Sequence, residues 1–163
     1  MTQIPRNPDA QRRWLITTLL VGAALPLLPA DLLAAGKPQI TVYKTAGCGC
    51  CKEWIAHLEQ HGFVVVANDV PGTEPYRERY GVPRALASCH TAVIDGYAIE
   101  GHVPAEEIRR LITEKPKARG LSVPGMPIGS PGMEIRGERR DAFDVVLFDD
   151  AGGRSVYRHY EAQ

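Results

Sequence analysis

Cys48, Cys50 and Cys51 fall within the four-residue run Cys48-Gly49-Cys50-Cys51, and a fourth cysteine, Cys89, stands alone farther along the chain. A thiolate is the form of cysteine that attacks disulfides and binds soft metals. Three chemistries are open to this set. Four cysteines can form two structural disulfides, but with three of them in one window one bridge would be local and would close almost no loop. A C-x-x-C pair, Cys48 attacking and Cys51 resolving, can work as a thiol–disulfide oxidoreductase, which leaves Cys50 and Cys89 without roles. Four converging thiolates can hold a soft metal, and the surplus cysteines favour this third reading.

Convergence depends on the elements that carry the sulfurs. Ile40 to Lys44 is rich in β-favouring residues and runs into a Gly-containing turn, after which Trp54, Ile55 and Leu58 recur at helical spacing up to Gly62. The cysteine turn thus sits at the start of a helix, where unpaired N–H groups and the helix dipole stabilise thiolates. Phe63 to Ala67 reads as a buried strand, and Thr73 to Tyr80 as a short helix closed by Gly81 and Pro83. Thr91 to Ile94 and Tyr97 to Glu100 flank Asp95-Gly96, a strong two-residue hairpin signal. Pro104 opens a helix with the stripe Ile108, Leu111, Ile112.

The order β, α, β, α, β, β, α predicts an α/β thioredoxin-like sandwich, although other α/β sandwiches share that string. In a thioredoxin-like layout the start of the Thr91 strand lies beside the first helix's N-terminus, bringing Cys89 to the other three sulfurs. Residues 116–137 are rich in proline and glycine and read as a loop, carrying Pro124-Gly125-Met126 and Pro131-Gly132-Met133. A final β-hairpin is expected over residues 143–160, so residues 36–163 form a single domain.

The 163 residues carry 19 basic and 19 acidic side chains, a balance that argues against a general electrostatic nucleic-acid binder. Residues 1–35 read as an export signal: Arg12 and Arg13 form the positive region, and Trp14 to Leu28, within an uncharged run that reaches Ala30, form the apolar one. The run is shorter than the ~20 apolar residues of a membrane helix, so no stable span is expected, with an uncleaved anchor as the alternative. Arg12-Arg13-Trp14-Leu15-Ile16 also fits a twin-arginine signal. A periplasmic location follows.

In an exported protein the metal that soft sulfur selects is Cu(I), with zinc the competitor because four-cysteine sites are commonly zinc sites. Structural zinc sites space their ligands, whereas Cys50 and Cys51 are adjacent and Cys48 is only two residues away. Such crowding suits thiolates that bridge more than one low-coordinate Cu(I) ion. Weaker candidate ligands are His90, which can equally point to the opposite face of its strand, and the thioethers of Met126 and Met133, suited to Cu(I) exchange but more often gap-fillers. Trp54 is expected in the core beneath the first helix turn. His57 and His61 read as surface imidazoles, His102 and His159 give no signal beyond their turn and strand positions, and Lys44 and Lys52 read either as offsetting thiolate charge or as plain solvated lysines.

The segments Thr41-Val42-Tyr43-Lys44, Cys48-Gly49-Cys50-Cys51 with Trp54, Ser88-Cys89-His90-Thr91-Ala92, Gly101-His102-Val103-Pro104 and the loop from Gly120 to Glu134 together resemble the CopG-like family. The resemblance covers about residues 40 to 160. It implies an exported copper-resistance protein of thioredoxin-like fold in which Cys48, Cys50, Cys51 and Cys89 bind copper, with a redox role open and other periplasmic copper-handling proteins as partners. True thioredoxins resemble one another in a cis-proline before the third strand, where this chain reads Cys89-His90-Thr91. That departure counts against a general disulfide reductase.

Overall fold

The computed structural model describes residues 36–163. Its elements are β1 (Gln39–Lys44), α1 (Gly49–Gln60), β2 (Val64–Asp69), α2 (Glu74–Arg79), β3 (His90–Ile94), β4 (Tyr97–Glu100), α3 (Ala105–Glu114), β5 (Gly120–Ser122), β6 (Phe143–Phe148) and β7 (Arg154–Tyr160), with one short 3-10 turn at Arg84–Leu86. The seven strands form one sheet in the order β2-β1-β3-β4-β5-β6-β7. Pairing is parallel for β1–β2 and β4–β5 and antiparallel elsewhere. The architecture is mixed α/β.

Local chemistry explains the central elements. Asp95 and Gly96 both take positive φ, 48° and 83°, as a two-residue hairpin turn requires, and they set the β3–β4 register Thr91↔Glu100. Pro104 precedes α3, Glu106 and Glu107 complement the dipole in its first turn, and Lys115 closes it in the left-handed region. Trp54 and Leu58 of α1 and Ile108 and Leu111 of α3 are buried with Ile40, Val42, Ala92, Ile94, Ile99 and Leu121 of the sheet in one core. That core fixes the N-terminus of α1 against the start of β3.

Two expectations are corrected. The Pro/Gly-rich stretch 116–137 is not all loop, because Gly120–Ser122 forms β5 between β4 and β6 and thereby adds the final hairpin to the main sheet. Three residues are too few for a periodic signal, and Gly120 lies so close under the Ala98 carbonyl that no Cβ would fit. The strand expected to be buried over Phe63 to Ala67 is instead the edge strand β2, with Val64 44% and Val66 41% exposed. Among the described residues no strand pairs on its far side, so apolar β-branched content reports strand propensity here and not burial.

The expected export signal over residues 1–35 lies outside the described residues. Among the described residues no helix is long and apolar enough to cross a membrane.

Candidate metal centre

The turn after β1 is closed by the Cys48 N–H donating to the Thr45 carbonyl (3.1 Å), and α1 begins at Gly49 with Cys48 in the N-cap position. No acidic side chain lies in the first turn of α1, so its positive end faces the sulfurs uncompensated. Cys48 and Cys51 are joined as a disulfide with Cα atoms 5.3 Å apart, while Cys50 and Cys89 are free. Cys50 Sγ lies 3.6 Å from Cys48 Sγ and 3.8 Å from Cys89 Sγ, and Cys51 Sγ lies 3.6 Å from Cys89 Sγ. All four sulfurs fall within 4.8 Å of one another.

Cys89 owes its place to a buried polar frame behind it. Glu100, fully buried on β4, accepts from Arg77 Nε (2.9 Å) and from the Ser88 N–H (2.7 Å) through Oε1, and from Thr91 Oγ1 (2.7 Å) through Oε2. Arg77 Nη2 donates to the Ser88 carbonyl (2.9 Å) and to Thr73 Oγ1 (3.1 Å). One carboxylate and one guanidinium therefore hold the chain on both sides of Cys89.

Two histidines complete the surroundings. His102 Nδ1 donates to the Pro131 carbonyl (2.8 Å), which leaves the Nε2 lone pair facing Cys89 Sγ at 3.1 Å. His90 Nδ1 lies 3.3 Å from the same sulfur, so its side chain turns toward the cysteines and not away. The His90 ring rests on Trp54, with centroids 4.2 Å apart, and Trp54 Nε1 donates to the Val103 carbonyl (2.9 Å). Burial, with Cys50 beside it, pushes the Cys89 thiol up to about 12. Burial and neighbouring His102 push His90 down to about 3, and burial lowers His102 as well. At neutral pH the imidazoles are therefore neutral and the Cys89 thiol is protonated; a metal binding there must expel the thiol proton.

Of the sequence candidates, Cys48, Cys50, Cys51, Cys89 and His90 come together. Met126 is 52% exposed and Met133 is half-buried on the loop that follows β5. That loop does reach the cysteine helix at Gly132, where an added Cβ would fall 2.6 Å from Trp54 N and 2.8 Å from the Cys50 carbonyl. Lys44 is spoken for, since it is buried and ion-paired with Asp69, so the expectation that it offsets thiolate charge is corrected; Lys52 is exposed. His102 is the residue sequence reasoning missed. Its signal was present: counting outward from the Asp95-Gly96 turn places His102 opposite Cys89.

Fold and site define a mixed α/β protein whose distinguishing feature is a cluster of four cysteines flanked by two buried histidines. Residues 86–133, which carry Cys89, His90 and His102, match a family described only as a protein of unknown function, DUF411. No curated protein matches the chain. Two solved structures, forms 1 and 2 of copper resistance protein CopG, each share 48% sequence identity with a TM-score of 0.72, covering 76% of this chain and 98% of theirs. The chain belongs to the CopG family of copper resistance proteins.

Proposed function

We propose that the protein holds copper as Cu(I), with more than one ion shared among the thiolates of Cys48, Cys50, Cys51 and Cys89, and that it serves copper resistance in the periplasm. The observation that carries this reading is the meeting of four sulfurs within 4.8 Å. Adjacent Cys50 and Cys51 fit poorly around one tetrahedral ion, whereas bridging thiolates around low-coordinate Cu(I) tolerate such crowding. Zinc remains the competing occupant, and the name of the similar structures argues for copper. An oxidoreductase acting through Cys48 and Cys51 alone would leave Cys50 and Cys89 idle beside them. His90 flanks the cluster as a further ligand, and Met126 and Met133 serve as an exchange pair on the adjoining loop.

Residues 1–35 act as an export signal, of twin-arginine or general secretory type, and residues 36–163 as the metal-binding domain, which meets copper ions and other periplasmic copper-handling proteins. The order β2-β1-β3-β4, with β1 and β2 parallel and β3 and β4 antiparallel, supports a thioredoxin-like core to which β5, β6 and β7 are added. Loading starts with reduction: a thiol donor supplies two electrons and, with two protons, opens the Cys48–Cys51 disulfide, after which each thiol loses its proton to solvent as its sulfur binds the metal. Anaerobic Cu(I) titration of the reduced protein against a competing chelator tests this. Saturation above one equivalent, lowered by each of the four Cys→Ser substitutions, is expected. Saturation at one equivalent or none, or indifference to Cys89→Ser, overturns it.

A further inference from the structure

We propose a second metal site, built from nitrogen and oxygen, where His57 and His61 of α1 meet Glu106 of α3, taking a single divalent ion of borderline softness with Cu(II) the strongest binder. His57 and His61 are four residues apart, hence on one helix face, and their rings lie 4.2 Å apart. One nitrogen from each ring and one carboxylate oxygen of Glu106 fall within 4.8 Å of one another. A solvated histidine pair on a helix is ordinary. A third ligand arriving from a different element, in a cavity of about 350 Å³ that Glu134 also lines, is not. The cavity leaves room for water to complete the coordination sphere.

The hydrogen-bond pattern suits ligation. His61 Nδ1 donates to the His57 carbonyl (2.7 Å), so its Nε2 carries the free lone pair, and the backbone carbonyl orients the ring as outer-shell partners of ligating histidines do. His57 Nε2 accepts the Ala105 N–H at the buried start of α3 (3.1 Å), and binding of the ion exchanges this hydrogen bond for a metal–nitrogen bond.

The ligand set shares no atom with the cysteine cluster and differs from it in kind. Imidazole and carboxylate suit divalent ions, and among these Cu(II) binds most strongly, whereas thiolates suit Cu(I). The inference therefore stands whether or not the cysteines bind copper.

The test is a Cu(II) titration of the full chain, its thiols capped by alkylation, followed by electron paramagnetic resonance. One Cu(II) with an axial spectrum and histidine-nitrogen splitting is expected. His61→Ala, an exposed position, should reduce the splitting from that of two nitrogens to that of one and weaken binding at least about tenfold. Glu106→Ala should weaken binding while the nitrogen splitting persists. Cu(I) stoichiometry of the uncapped, reduced His61→Ala variant should match that of the unsubstituted chain, which separates this site from the cysteine cluster. Absence of Cu(II) binding below millimolar concentration, or equal affinity and splitting in His61→Ala, overturns the proposal.

Discussion

Cys89 shows how much one residue's chemistry depends on neighbours distant in sequence. Its sulfur touches Cys50, Cys51, His90 and His102, and the last of these is itself oriented by the Pro131 carbonyl of the long loop. The next residue tests whether that loop is part of the site. Gly132 has φ of +84°, and a Cβ there would meet backbone atoms of α1, whereas Gly137 has φ of +85° with open space around it. Gly137→Ala should cost about 1–2 kcal/mol for the left-handed backbone alone. Gly132→Ala should cost a further ~1–3 kcal/mol because backbone must shift. Urea midpoints of the two variants measure the difference; equal midpoints would mean that the loop lifts off α1 freely. The cysteine set was legible in the sequence because its spacing is unusual. The packing of Gly132 was not, because a glycine in a Pro/Gly-rich stretch looks like any other.

At the scale of elements, the start of β3 is positioned by α2 and β4 through the Arg77–Glu100 pair, whose side chains are 10% and 0% exposed. Removing one partner leaves a buried charge without its counter-ion. Arg77→Met should therefore cost about 3–5 kcal/mol, and the double variant Arg77→Met/Glu100→Leu should recover part of that loss. Since Arg77 also holds the Ser88 carbonyl, the single variant should lower copper stoichiometry although it touches no sulfur. An unchanged denaturation midpoint together with unchanged copper binding would show that the frame does not position Cys89. The hairpin and α3 were readable from Asp95-Gly96 and Pro104, whose backbone requirements are local. The edge position of β2 and the existence of β5 were not, since both depend on which strands lie alongside, and a single strand's residues do not encode that.

For the whole molecule, the proposed function makes folding and metal loading one linked equilibrium. A ligand that binds the native state alone stabilises it by about 2.7 kcal/mol at one hundred times its dissociation constant. For a chain of this size that corresponds to a rise of roughly 5–11 °C in the thermal midpoint. The disulfide makes the expected response conditional. With Cys48 and Cys51 bonded to each other, two of the four proposed ligands are withheld, and only Cys50 and Cys89 remain free. Reduced protein titrated with Cu(I) under anaerobic conditions should show a midpoint that climbs with copper concentration and returns to its starting value when a Cu(I) chelator is added. Oxidised protein should show little or no rise, and reduced Cys89→Ser should fall between the two. Calorimetric scans at several copper concentrations measure all three. An equal rise in the oxidised protein would place the stabilising ion elsewhere and remove Cys48 and Cys51 from the ligand set.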